Sequence, residues 1–188
     1  MELSEKDEEY IISLLEQGKK VETIAFVKDK TGMTLKEAKD YIDKWLVMTI
    51  NEAQDEVIEE FNDFTDWMDK YQLLIDLGGE LNALGEQYKN DDNLIDGCQS
   101  RVWIQCDVKD GLLFFTADSD ALIVKGIVSL LIRVMTDHTP DEILAAELYF
   151  IDRIGLREHL SPTRSNGLLA MVKQMRMYAL AYKTKAAQ

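Results

Sequence analysis

Apolar side chains near the start of the chain recur at the spacing of amphipathic helices. Ile11, Leu14 and Leu15 fall on one helical face, and Gly18 can end that helix. Ser4 followed by Asp7 resembles a cap at its beginning. Ile24, Phe26 and Val27 belong to a second helix that stops near Gly32. Thr34-Leu35-Lys36-Glu37 is a capping box that opens a third helix through Ala38, Tyr41, Ile42 and Trp45. Residues 1–46 therefore read as a small all-helical module, expected to dock on something because so short a segment buries little core alone. The stretch from Val47 to Gln54 is the candidate boundary. It contains neither proline nor glycine, which predicts a continuous helix across the junction.

The main body starts near Asp55 and spans 55–184. Val57, Ile58, Phe61 and Phe64 recur at helical spacing, Tyr71, Leu74, Ile75 and Leu77 continue the pattern, and Gly78-Gly79 ends it. Residues 85–97 are polar, with Asn90, Asp91, Asp92 and Asn93 together, and read as a loop. From Arg101 the period changes: Val102, Ile104 and Cys106 alternate with Arg101, Trp103 and Gln105. Lys109-Asp110-Gly111 and a second apolar run, Leu112 to Thr116, complete an antiparallel hairpin. Its short arms need cover from the flanking helices. Asp118-Ser119-Asp120 is expected to cap a long apolar helix through Ala121–Val134. Thr139-Pro140-Asp141-Glu142 starts another helix, and Ser161-Pro162 starts the last, which carries Leu168, Leu169, Met171, Val172, Met175 and Met177. The fold class that follows is α+β, with helices packed around a small antiparallel sheet. The order helix–hairpin–helix does not repeat βαβ units, so a dinucleotide-binding fold is not expected.

Composition narrows the function. The 188 residues carry a net charge of −14, and no basic block stands out, which argues against nucleic-acid binding. The segment Ala121–Val134 is interrupted by Lys125 and Arg133 and is short for a bilayer. Met1-Glu2-Leu3-Ser4-Glu5 lacks the basic and apolar regions of a signal peptide. Two cysteines do not make a disulfide framework, and a cytoplasmic, reducing setting fits.

Cys98 is the clearest chemical candidate. It follows a polar loop and Gly97 and precedes the first strand, where a thiol can be presented from a rigid sheet. From position alone, a reactive thiol and a quiet buried one stand level. Cys106 shares a strand face with Val102 and Ile104 and reads as a small core residue. The two cysteines and two histidines lack the grouped spacing of a zinc site, and the chain cannot supply four cysteines to a cluster. A Cys–His hydrolase using His159 is the main competing class, although no third orienting residue is marked locally. His159 otherwise reads as a cap or a packed surface group. Arg164 opens the last helix, where a cation does not favour the helix dipole. It faces a partner or an anion, pairs with an acid such as Asp120, or is simply solvated. Trp103 is expected to pack on one sheet face, and Trp67 with Tyr71 to share a helix face. No Gly-x-Gly-x-x-Gly or Walker sequence is present, and no lysine has a convincing pyridoxal-phosphate context.

Asp96-Gly97-Cys98-Gln99-Ser100-Arg101-Val102-Trp103 resembles the signature of the SufE/CsdE family of sulfur acceptors, Gly-Cys-Gln-Ser, a variable residue, then Val-Trp. Three further stretches agree in order. They are Trp67-Met68-Asp69-Lys70-Tyr71 leading to Leu77-Gly78, Asp118-Ser119-Asp120-Ala121 leading to Ile123-Val124-Lys125-Gly126, and His159 through Leu168. The likeness runs over residues 55–182. It implies that Cys98 accepts a persulfide from a SufS-like cysteine desulfurase, speeds its turnover, and delivers sulfur to a SufBCD-like iron–sulfur scaffold. A non-catalytic regulatory partner of a desulfurase remains the alternative within this setting. The pyridoxal phosphate belongs to the desulfurase, and no cofactor is expected in this chain. The resemblance also implies a loop about Cys98 that is shielded in the free protein, with Gly97 and Gln99 on it and Asp120 and Arg164 near the desulfurase contact. The amino-terminal Gly18-Lys19-Lys20-Val21 and Thr31 through Lys39 resemble part of the C-terminal domain of ribosomal stalk protein L7/L12, without the rest of that domain.

Overall fold

The computed structural model describes residues 3–45 and 48–186. Met1, Glu2 and Val47, which enter the expectations above, lie outside the described residues, as does the side chain of Trp45. The chain forms two compact units, Met1–Met48 and Thr49–Gln188.

The first unit is three helices, α1 (Glu5–Glu16), α2 (Lys20–Thr31) and α3 (Leu35–Trp45). Ser4 and Asp7 form a reciprocal capping box on α1, and Thr34 and Glu37 make the same pair of bonds before α3. Gly32 ends α2 in the left-handed conformation, φ 77°. Ile11, Val27, Ala38 and Ile42 are fully buried together, with Leu15, Ile24 and Tyr41 packed against them.

The second unit begins with α4 (Ile50–Asn62). Thr49 is extended and forms a capping box with Glu52, so a fresh helix starts here and the predicted continuous helix is not found. The apolar run 57–77 is likewise two helices. Asp66 caps α5 (Trp67–Gly79) by accepting the Met68 N–H at 2.6 Å.

The hairpin has its predicted register. β1 (Val102–Lys109) pairs antiparallel with β2 (Leu112–Ser119), joined by Asp110 and Gly111, both at positive φ. Val102, Ile104, Cys106, Leu113, Phe115 and Ala117 form its buried face. Both edges are covered by backbone. The Ile95 N–H donates to Val102 and the Ile104 N–H to Asn93, while the Leu113 N–H donates to His138 and the Asp137 N–H to Leu113. The polar stretch 85–97 is therefore more than a loop: it holds a 3₁₀ turn, Glu86–Tyr88, and a bridge from Leu94 to Trp103.

Helix α6 (Leu122–Met135) packs on β2 and on α5. Its contact with α5 depends on two glycines. A Cβ at Gly126 would overlap the Leu74 carbonyl, and one at Gly78 would lie 2.8 Å from the Gly126 nitrogen. Gly78 thus serves packing besides standing near the helix end. Ala121 is the N-cap of α6 without a side-chain bond. The expectation that Asp118 and Asp120 cap it is corrected: Asp118 lies in β2 and pairs with Lys89 at 3.0 Å and Lys125 at 2.9 Å. The short helices α7 (Pro140–Ala145), α8 (Phe150–Arg153) and α9 (Leu156–His159) lead to α10 (Pro162–Ala186), which packs on β1 and α7. Thr139 and Glu142 form the predicted capping box on α7. The architecture is α+β, helices around a two-stranded antiparallel sheet, preceded by an all-helical region. No helix among the described residues is long and apolar enough to cross a membrane.

Candidate functional site

Residues 96–101 form a loop whose base is closed from both sides. On one side the Ile95 N–H donates to the Val102 carbonyl at 2.8 Å. On the other, the Arg101 N–H donates to Asp120 Oδ1 at 3.0 Å and the Asp120 N–H returns to the Arg101 carbonyl at 3.2 Å. Gly97 takes φ 89° beside Cys98, a conformation that a side chain would strain. Cys98 is thus carried on a short loop anchored to the rigid end of the hairpin.

The Cys98 side chain turns inward and is half-buried. Its Sγ donates to the Gly167 carbonyl at 3.6 Å. A cavity of about 310 Å³ adjoins it. Gln99 and Ser100 line it from the loop, Val124 and Ile127 from α6, and Thr163, Arg164, Gly167 and Met171 from one face of α10. The walls are therefore apolar on the α6 side and polar at the α10 N-terminus. Burial pushes the Cys98 thiol above its ordinary value, so the free protein keeps it protonated at neutral pH. Arg164 is exposed at the rim and, among the described residues, has no hydrogen-bond or ion-pair partner. The alternative pairing of Arg164 with Asp120 is not formed, since Asp120 is engaged with the Arg101 backbone.

The family model for SufE, the Fe-S metabolism associated domain, matches residues 55–179. The chain belongs to the SufE family. Its fold is also similar to a solution structure described as a hypothetical protein from Thermus thermophilus. That likeness has a TM-score of 0.59 and 19% identity, and covers 70% of this chain and 96% of the other. At that identity it speaks for the fold alone. The SufE match starts within α4 and ends within α10, so it does not reach the three amino-terminal helices.

Within this SufE domain, neither histidine lines the Cys98 cavity among the described residues. His159 stacks on Trp67 with centroids 3.8 Å apart and planes 15° apart, and its Nδ1 lies 3.0 Å from the Gly155 carbonyl. The Tyr71 hydroxyl donates to the His159 carbonyl at 2.6 Å. His159 is a packed surface group that ties the entry of α10 to α5, and the Cys–His arrangement is not assembled. His138 is buried beneath the α7 cap. Cys106 is buried on the core face of β1, where burial beside Asp107 pushes its thiol up to about 12. Both cysteines are free thiols. Among the described residues no cluster of His, Cys, Asp or Glu is arranged to hold a metal ion.

On α10, the contributors Thr163, Gly167 and Met171 are not singled out as site residues by the sequence pattern. Their spacing places them on one face of α10, and a glycine inside a long helix is the available signal. Trp103 is 8% exposed, with the Arg101 guanidinium 5.0 Å above its ring and its Nε1 without a partner among the described residues.

Proposed function

We propose that this SufE-family chain is a sulfur acceptor and carrier with Cys98 as its acceptor thiol. It takes persulfide sulfur from a SufS-like cysteine desulfurase, stimulates that enzyme, and delivers the sulfur to a SufBCD-like scaffold. The observation that carries this reading is Cys98, inside the family signature, on an anchored loop with its sulfur turned into a lined cavity. The same reading puts the protein in a reducing cytoplasm, where free thiols persist.

The chemistry asked of Cys98 is thiol–persulfide exchange. The Cys98 thiolate attacks the terminal sulfur of the desulfurase persulfide. A bond forms from Cys98 Sγ to that sulfur, the donor S–S bond breaks, and the donor leaves as a thiolate. The terminal sulfur keeps its proton, and the pair undergoes no net oxidation or reduction. The chain needs no cofactor for this step, and pyridoxal phosphate in the desulfurase generates the donor persulfide. Burial disfavours the thiolate in the free protein. In this reading docking draws the loop out, with exposed Gly97 and Gln99 moving and Arg164 and Asp120 meeting the desulfurase.

Alanine release by the cognate desulfurase, supplied with L-cysteine, tests the reading. The native chain is expected to raise turnover and Cys98→Ser to leave it at the basal rate. Equal stimulation by both would make the chain a regulatory partner without sulfur acceptance.

A further inference from the structure

Gly167 sits within α10, a helix of 25 residues, where glycine costs about 0.5–1 kcal/mol relative to alanine. Its φ is not positive, so the backbone conformation does not call for glycine. Helix packing does not call for it either. At Gly126 an added Cβ would meet the backbone of Leu74 on the neighbouring helix. At Gly167 the three nearest atoms all belong to Cys98: Sγ at 3.2 Å, and Cα and Cβ at 3.8 Å. The loop also passes near a second small residue of α10: a Cβ added at Gly97 would come within 3.9 Å of the Ala170 Cβ. Two small residues of the helix, Gly167 and Ala170, thus lie nearest the loop that carries the thiol.

We infer that Gly167 is a positioning residue for Cys98: its missing side chain sets how deeply the thiol is seated and leaves the cavity beside it open. A methyl group at this position sits closer to Sγ than ordinary van der Waals contact. Helix α10 is held by its own backbone ladder, whereas the anchored loop carries an exposed glycine beside Cys98, so the tip of the loop is expected to yield first. Cys98 then moves outward, its bond to the Gly167 carbonyl weakens, and its thiol meets more water. A larger side chain also fills the space beside Sγ. The sulfur-acceptor reading supplies the use of that space, a second sulfur held out of reach of soluble thiols. The seat itself concerns the free thiol and is tested without any desulfurase.

The experiment is iodoacetamide alkylation of the full chain across pH, resolved by peptide mass, for the native protein, Gly167→Ala and Gly167→Leu. Ser165→Ala, which alters the same helix outside the cavity lining, is the control. The native Cys98 rate is expected to rise with pH through a midpoint above the ordinary thiol value. In both glycine variants the midpoint falls. Because one pKa unit is tenfold in thiolate, the rate at neutral pH rises about threefold for Ala and about tenfold for Leu. Identical midpoints and rates in the native protein and both folded variants would overturn the inference, as would an equal shift in Ser165→Ala. Labelling of buried Cys106 reports unfolding. Should the Leu variant unfold, the Ala variant decides, because alanine favours the helix. Failure of Cys98 to gain sulfur from a desulfurase would remove the acceptor reading and leave a shifted midpoint standing.

Discussion

Cys98 Sγ lies 3.6 Å from the main-chain oxygen of Gly167, a contact that spans 69 residues of chain and joins the loop before β1 to the second turn of α10. The bond and the burial around it act in the same direction. Each favours the protonated thiol, which holds the sulfur in place and lowers its nucleophilicity. In the proposed transfer, activation falls to the encounter with the desulfurase, which the residues at the cavity rim are expected to meet first.

Arg164→Ala isolates the rim. The side chain is exposed and without a partner among the described residues, so its loss should change unfolding free energy by less than about 0.5 kcal/mol. An interface arginine is commonly worth about 1–2 kcal/mol, so the concentration giving half-maximal desulfurase stimulation should rise about tenfold. Titration of turnover against the carrier, beside a urea melt, checks both numbers.

Cys106 should be silent. With its thiol pushed up to about 12 and its side chain buried, it should resist alkylation in the native protein and label only in urea. Cys106→Ala should keep full sulfur acceptance and lose about 1 kcal/mol of stability from the missing core volume. Peptide-resolved labelling and desulfurase turnover give the two readouts.

The contact between α5 and α6 tolerates no side chain at Gly126, where a Cβ would overlap the Leu74 carbonyl. Both partners there are helix backbone, so relief requires the helices to separate. Gly126→Ala should cost about 3 kcal/mol or more. Gly79→Ala, with nothing within 4 Å of the added atom, should change stability by less than about 1 kcal/mol. Urea unfolding of the two variants makes the comparison.

His138 sets an acid-sensitive step. It is 4% exposed, and burial lowers its pKa although Glu142 and Asp137 act to raise it. Unfolded histidine binds a proton below about pH 6.5 while the folded one resists. Stability is therefore full above that value and falls as pH drops through it. The urea midpoint should decline between about pH 7 and pH 5, and His138→Gln should flatten that decline. The lowered carboxylates, such as Asp7 at about 2 and Glu142 below 4.5, lose their contribution at more acid pH, which keeps the two effects apart.

The parts of this fold that sequence reasoning reaches are those written in a few neighbouring residues. Capping boxes at Ser4–Asp7, Thr34–Glu37 and Thr139–Glu142 and the Asp110-Gly111 turn each close locally. Thr49–Glu52 is an equally local signal, masked by the apolar Val47-Met48 before it and by the absence of a glycine or proline. Phe64 keeps the helical period across a real break, which hides the boundary between α4 and α5. What eludes the pattern depends on distant partners. Asp118 resembles a cap in sequence because Lys89 and Lys125 are brought to it only by the fold. Gly126 and Gly167 look alike in sequence, yet one admits the Leu74 backbone and the other admits the Cys98 sulfur. Cys98 itself is legible through its loop and its neighbours, whereas its inward turn requires the structure.

The most direct test of Cys98 as the acceptor is intact mass after mixing the chain with its cognate cysteine desulfurase and L-cysteine, beside Cys98→Ser. The mass of added sulfur is expected on the native chain, removed by reductant and absent from the variant. An active desulfurase that leaves the native chain at its original mass, or adds sulfur equally to Cys98→Ser, would contradict that role.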